Sequence, residues 1–146
     1  MITLRKATTQ DIPNLLKIEQ GVAGTKIYSP MLTEKEWMEE LQKSTVYVIE
    51  KDGVIVGDIS YEKKNNDHAY ISGFAVDPRF QHQGIGREAL MQILTELKNM
   101  KRVDLLVHPE NPAIKLYESF GFTYESREEN HFGDGEPRVL MVLEKK

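Results

Sequence analysis

The sequence contains no cysteine. That absence removes disulfide bridges, thiolate metal sites and any cysteine nucleophile together. No apolar run approaches the length that crosses a bilayer, and Met1-Ile2-Thr3-Leu4-Arg5-Lys6 lacks the apolar core of a signal peptide. The expectation is a cytoplasmic protein that does not engage a membrane. Basic residues are not in excess: 19 Lys and Arg stand against 23 Asp and Glu, for a net charge of −4. A nucleic-acid stripe needs the opposite balance, so no nucleic-acid partner is expected. Histidine is scarce, four in all, and no histidine–carboxylate group has metal-ligand spacing, so no metal is expected. Internal repeats, low-complexity tracts and linker-like shifts of composition are missing as well.

What remains is an ordinary globular balance, 40% hydrophobic and 29% charged residues over 146 positions. A chain of this size buries about two-thirds of the surface its unfolded form exposes, so one core is sufficient without staples. The expectation is a single domain over residues 1–146.

Ile2 to Lys6 alternates apolar and polar and predicts a strand. Thr8-Thr9-Gln10-Asp11 and Thr33-Glu34-Lys35-Glu36 are capping boxes. A helical stripe of Ile12, Leu15 and Leu16 follows the first, and Trp37 and Leu41 follow the second, with residues 20–31 irregular between them. Thr45 to Glu50 and Val54 to Tyr61 are strands around the hairpin signal Lys51-Asp52-Gly53, and His68 to Val76 is a third. After Gly84 the period becomes helical, with Leu90, Met91, Leu94 and Leu97 assigned to one face. Arg102 to Val107 is a strand, and Pro112 to Phe120 a short helix with Asn111 placed to cap it and Gly121 to end it. Phe122 to Glu128 and Arg138 to Leu143 close the chain as an antiparallel pair. The order is β-α-α-β-β-β-α-β-α-β-β, an α/β domain with one mixed central sheet. Its parallel step is a right-handed crossover through the Gly84 helix.

Gln81-His82-Gln83-Gly84-Ile85-Gly86-Arg87 lies between a strand and a helix. A helix start there offers unpaired N–H groups and the positive end of a dipole to phosphate oxygens. Gly84 and Gly86 remove side chains where a ligand approaches the backbone. Arg87, with His82 or Arg79, adds charge-assisted contacts. The plainer alternative is a loop with two turn glycines. A Walker loop is excluded because no Gly-Lys-Ser/Thr follows. Gly84-x-Gly86-x-x-Ala89 satisfies the loose dinucleotide fingerprint. However, Asp77 to Gln83 intervene between strand and glycine, and the chain offers only one parallel β-α unit where that fold uses several.

Ala75-Val76-Asp77-Pro78-Arg79-Phe80-Gln81-His82-Gln83-Gly84-Ile85-Gly86 resembles the coenzyme A signature of the GNAT superfamily of N-acetyltransferases, whose core is Gln/Arg-x-x-Gly-x-Gly/Ala. The stretch from Val107 through Asn111 to Ala113-Ile114-Lys115-Leu116-Tyr117-Glu118-Ser119-Phe120-Gly121-Phe122 resembles a second segment of that family, and the element order matches over essentially the whole chain. The resemblance implies a GNAT-like sheet whose strands His68–Val76 and Arg102–Val107 splay apart around acetyl-CoA as cosubstrate. It implies that the backbone of Phe74, Ala75 and Val76 pairs with the pantetheine arm. It implies further that Gln81, His82, Gln83, Gly84, Ile85, Gly86 and Arg87 cradle the pyrophosphate, that Asn111 contacts pantetheine, and that Tyr117 lies near the sulfur. Asn111 and Tyr117 stand one residue closer together than the family usually has them. Leu106 occupies a position where many amino-terminal acetyltransferases carry glutamate.

Acetyl transfer to a primary amine needs a neutral nitrogen, from a group whose pKa is roughly 8 to 10 in water, and reactants held in line. The leaving thiolate benefits from a proton. Tyr117 is the expected acid, with core packing as its alternative. His108, just past a strand end, is the expected base; Glu110 and Glu19 are further candidates, directly or through water, while His68 and His131 rank below them. Acceptor determinants are expected in residues 20–31, where Tyr28 stands, and in the last hairpin loop, with Trp37 assigned to core packing. His131-Phe132-Gly133-Asp134-Gly135-Glu136-Pro137-Arg138 resembles the last segment of amino-terminal acetyltransferases, including the ribosomal-protein alanine type, with His131-Phe132 in place of a tyrosine pair. It implies a peptide amino terminus as acceptor, beside the alternatives of a small polyamine, a protein lysine, or a non-catalytic acyl-CoA-binding module. The expected assembly is a monomer or homodimer.

Overall fold

The computed structural model describes residues 1–145. Seven strands form one sheet in the order β1-β2-β3-β4-β5-β7-β6. They are β1 (Thr3–Lys6), β2 (Thr45–Lys51), β3 (Val54–Lys63), β4 (His68–Val76), β5 (Arg102–Val107), β6 (Thr123–Glu128) and β7 (Arg138–Glu144). The helices are α1 (Ile12–Val22), α2 (Glu34–Lys43), α3 (Ile85–Glu96) and α4 (Ala113–Ser119). Every neighbouring pair is antiparallel except β4 and β5. That parallel step is the crossover through α3, as expected.

Local chemistry explains the elements. The hydroxyl of Thr33 accepts from the Glu36 N–H at 3.1 Å and donates to the Glu36 carboxylate at 2.9 Å, so the second capping box closes through its side chains. Asp52 and Gly53 both have positive φ, the geometry that suits the twist of a tight hairpin. Asn111 Oδ1 accepts from the Ala113 N–H at 2.9 Å and starts α4. At the other end the N–H groups of Gly121 and Phe122 bond back to Glu118 and Tyr117, a left-handed stop that Gly121 permits at φ +100.

Three sequence expectations are adjusted. The first helix runs on to Val22, because Leu15, Ile18 and Val22 all fall on its buried side. Met91 is exposed rather than part of the α3 stripe; the buried face is Ile85, Ala89, Leu90, Ile93 and Leu97. Phe122 belongs to the helix stop rather than to β6.

The sheet's alternation sorts its side chains into two layers. Tyr47, Ile49, Ile59, Tyr61, Ala69, Ile71, Val103 and Leu105 pack with α3 and α4 on one face. Val46 and Val48 pack with Ile12, Leu15 and Trp37 of α1 and α2 on the other. No helix among the described residues is long and apolar enough to cross a membrane.

Candidate active site

The site begins as a break in sheet pairing. β4 and β5 are matched from His68↔Arg102 to Ile71↔Leu105 and no further, although both strands continue. Beyond that point Gly73 to Val76 remain paired to β3, while Leu106 and Val107 remain paired to β7. Each strand keeps its outer partner and loses its inner one. A bulge sets the divergence: Ser60 faces Gly73 and Tyr61 faces Ile71, so Ser72 is left without an opposite number. The inner edges of Phe74, Ala75 and Val76 therefore present backbone groups to a gap, where an extended amide-bearing chain can pair as a strand does.

Two cavities open from this gap, one on each face of the sheet. The smaller, about 270 Å³, lies on the α3–α4 side against Val76, Phe80, Gln81, His82, Gly84–Arg87 and Leu116. The larger, about 420 Å³, lies on the α1–α2 side and includes Glu19, Glu36, Glu40, Ser72, Gly73 and Arg138 in its wall. Tyr28, Phe74, Asn111 and Tyr117 line both.

The smaller cavity is built to receive an anion at one end. Gly84 has φ +80 and no side chain caps α3, so the first N–H groups of that helix have no intrahelical partner. His82 is also left-handed, at φ +65, which turns successive amides inward. Gln81 donates from its side chain to the Val76 carbonyl at 3.0 Å and fixes the loop to β4. Arg87 is held across the mouth by the Ser119 hydroxyl at 2.9 Å and by the Phe120 ring, 5.1 Å away. These features fit a pyrophosphate at the loop and an extended arm along β4. Gln83 faces Lys51, at 3.2 Å, and lines neither cavity; Ala75 lines the larger cavity, with its inner backbone edge still facing the gap.

Tyr117 stands where the cavities meet. Its ring lies between Phe74 and Phe122, with centroids 6.5 and 5.8 Å away. It is 6% exposed, and burial pushes its phenol well above the ordinary tyrosine range, with Tyr28 adding to the shift. The group stays protonated at neutral pH and is available as a donor.

The structure does not bring His108 to either cavity. Its ring is buried, Nδ1 accepts from the Glu110 N–H at 3.0 Å, and Nε2 meets the Glu136 carboxylate at 2.8 Å. A nitrogen that accepts from an amide carries no proton, so Nε2 donates to Glu136. Glu110 in turn pairs with Lys26 at 2.7 Å. The group pins the loops after α1, after β5 and before β7 to one another. Glu110 and His131 likewise line neither cavity, while His68 pairs with Asp104 at 2.9 Å at the other end of β4.

Glu19 is the candidate base that does line a cavity, the larger one. It is 6% exposed, and burial raises its carboxyl to about 7, against an opposing hydrogen bond from the Met31 backbone. Glu36 and Glu40 push it the same way as burial. Glu40 and Asp58 escaped the sequence reading, although each carried a signal. Glu40 follows Trp37 by three positions on a helix, the spacing of a shared buried face, and Asp58 interrupts an otherwise apolar strand core. Trp37 is fully buried, as expected.

The model of the acetyltransferase (GNAT) family matches residues 12–122, which spans both the glycine loop and Tyr117. The chain belongs to the GNAT family of acetyltransferases. It is similar to the spermine/spermidine N(1)-acetyltransferase of Bacillus subtilis, 34% identical over 84 residues, 50% of this chain and 55% of that one. It is also similar to the ribosomal protein bS18-alanine N-acetyltransferase of Escherichia coli, 37% identical over 83 residues, 53% and 56% of the two chains. The matched stretch spans about half the length of these curated relatives. In three dimensions the chain resembles the crystal structure of the Escherichia coli ribosomal-protein-S18-alanine N-acetyltransferase. The TM-score is 0.84 at 27% identity, covering 99% of this chain and 94% of that one. The GNAT sheet, with its parallel pair opened in the middle, is therefore the architecture of this family member.

Proposed function

We propose that this protein is an acetyl-CoA-dependent N-acetyltransferase, and that its domain, residues 1–146, transfers acetyl to a primary amine by direct attack in a ternary complex. The observation that carries this reading is the meeting of two cavities through the β4–β5 gap at Tyr117. One has an anion-binding helix start and the other an acidic wall. The absence of cysteine supports direct transfer.

Acetyl-CoA, when bound, supplies an acetyl group activated as a thioester. The amides around Gly84 to Arg87, with His82 and Gln81, hold phosphate oxygens. The free edge of Phe74 to Val76 pairs with the pantetheine arm. Asn111, whose Oδ1 caps α4, offers its side-chain N–H groups to the same arm. Glu19 takes a proton from the incoming ammonium, directly or through water, in preference to His108, whose ring nitrogens are engaged. Tyr117 gives a proton to the sulfur as the C–S bond breaks and the N–C bond forms. The nitrogen loses two protons: the first leaves through Glu19 to solvent, and the second, lost once the N–C bond has formed, restores the Tyr117 phenol, so that the thiol carries one and one is released.

The acceptor arrives as a cation, which the acidic wall attracts. A peptide amino terminus is supported by the likeness to bS18-alanine acetyltransferases, and a small polyamine by the likeness to the spermine/spermidine enzyme. Two measurements test the reading. Acetyl-CoA at millimolar concentration should raise the melting temperature, because a ligand of the native state stabilises it by mass action. Coenzyme A release should then depend on added amine. A thermal shift without amine-dependent release indicates a non-catalytic acyl-CoA-binding module, and no shift at all rejects the reading.

A further inference from the structure

The wall of the larger cavity contains carboxylates that the transfer step does not use. Glu40 of α2 is 4% exposed, and three hydroxyls meet it: Ser44 at 3.2 Å on one oxygen, and Ser60 at 3.2 Å and Ser72 at 2.9 Å on the other. Ser72 is the bulge residue at the mouth of the gap, so the same irregularity that opens the sheet delivers a hydroxyl to Glu40. Behind this group stands Asp58. It is 0% exposed, and neither of its carboxylate oxygens has a hydrogen-bond partner.

Asp58 lies on the same face of β3 as Ser60, two residues away, and therefore on the α1–α2 side. Its Oδ1 is 4.0 Å from the point that a β-carbon on Gly73 would occupy, and Gly73 is part of the cavity wall. That β-carbon would also come within 2.8 Å of the Ser60 Oγ, so glycine at 73 keeps the space in front of both groups clear. A buried carboxylate without a partner costs free energy until a donor or a cation meets it.

The wall does not provide that cation itself. Lys43 reaches Glu40 only at 3.9 Å and is mostly exposed, and Arg138 is engaged by Asp134 at 3.0 Å. Among the described residues no three acidic or histidine side chains are grouped to hold one metal ion. The acidic groups are spread along a wall, an arrangement suited to an extended organic cation.

Resting on the acetyltransferase reading, we infer that Glu40 and Asp58 form a subsite for a second ammonium group of the acceptor, so that the preferred substrate is a linear aliphatic diamine or polyamine acetylated at one end. The distal ammonium lies against Glu40 and the Ser72 hydroxyl at the cavity wall, with Ser60 and Asp58 behind them, while the other nitrogen reaches the gap at Tyr117. The stoichiometry is unchanged: one N–C bond forms, one C–S bond breaks, and the distal nitrogen keeps its protons and its charge.

The test compares kcat/KM, by coenzyme A release, for 1,4-diaminobutane and spermidine against 1-aminobutane, and against a short peptide with a free amino terminus and neutral side chains. The expected result is a preference of tenfold or more for both multiply charged amines over the monoamine and the peptide. Asp58→Asn and Glu40→Gln, each checked for folding by circular dichroism and for an unchanged acetyl-CoA thermal shift, should bring the diamine-to-monoamine ratio down to about one. The two isosteric variants serve as backups, should either fail to fold. Equal rates on diamine and monoamine, a better rate on the peptide, or a ratio retained in a folded variant would each overturn the subsite and leave the acetyltransferase reading standing. Loss of transfer to every amine together with loss of the acetyl-CoA shift would overturn both.

Discussion

The N–H of Phe122 bonds to the carbonyl of Tyr117 at 3.1 Å, and the two rings meet with centroids 5.8 Å apart. The bond is one of the two that end α4, and the ring contact is the apolar clasp that accompanies such a stop. Gly121 makes the turn possible, so three consecutive features of the chain hold one phenol at the junction of two cavities. Phe74 closes its other side from β4, at 6.5 Å. Tyr117 is therefore fixed by a helix end and a strand at once.

Removing the hydroxyl tests its role without disturbing that clasp. Tyr117→Phe is expected to keep the acetyl-CoA thermal shift and to lose turnover by roughly ten- to a thousandfold, the range for a general acid. Single-turnover rates would separate the chemical step from product release. An unchanged rate would assign the ring to packing alone.

Removing the clasp tests the positioning. Phe122 is 2% exposed within the main core. Phe122→Ala should cost about 3–5 kcal/mol of stability, as truncation of a buried phenylalanine does. It should also lower kcat in the fraction that remains folded. Urea unfolding gives the first quantity and steady-state kinetics below the midpoint the second.

The glycine loop separates space from charge. A β-carbon on Gly86 would meet Phe74 at 3.6 Å and Leu116 at 3.9 Å, ordinary contacts, and Gly86 has no positive φ. Gly86→Ala should therefore fold and bind acetyl-CoA within a few-fold of the parent. Gly86→Glu places bulk and negative charge where phosphate belongs and should abolish the thermal shift. Normal binding by Gly86→Glu would make the loop merely structural.

Glu19 predicts two pH effects of defined sign. As a base it acts only when ionised, so kcat/KM should rise with pH through about 7, in addition to the titration of the amine itself, and Glu19→Gln should lack that limb. For stability, a carboxyl raised from 4.5 to about 7 on folding binds more protons in the native state between those values. Stability should therefore fall as pH rises from about 4.5 to about 7. Asp58 is shifted in the same direction by its burial and by Glu19 and Glu40, so Glu19→Gln should flatten the slope without erasing it. Melting temperatures at pH 5 and pH 8 read the difference directly. A wild-type slope of the opposite sign would reject the assignment.

Much of this molecule is written in short stretches of the chain. The capping box at Thr33, the Asp52-Gly53 hairpin, the Asn111 cap and the Gly121 stop are local contests between a few backbone groups, and neighbouring residues decide them. The Gln81–Arg87 loop is local in the same sense, since a helix start preceded by left-handed residues needs nothing from distant parts of the chain. What the sequence could not decide was where β4 and β5 part, because that depends on a bulge at Ser72 set by its register with β3 and on which partner each strand keeps. Nor could it separate His108 from Glu19 as base. A histidine at a strand end reads as available until Glu136, 28 positions on, takes its ring N–H, and a glutamate on a helix reads as solvated until the fold buries it near Glu36 and Glu40. Burial and charge coupling are sums over neighbours far apart in sequence. They raise the carboxyl of Glu19 and isolate that of Asp58, so only the tertiary structure set these two acidic residues apart from the solvated ones, which is what the proposed acceptor site rests on.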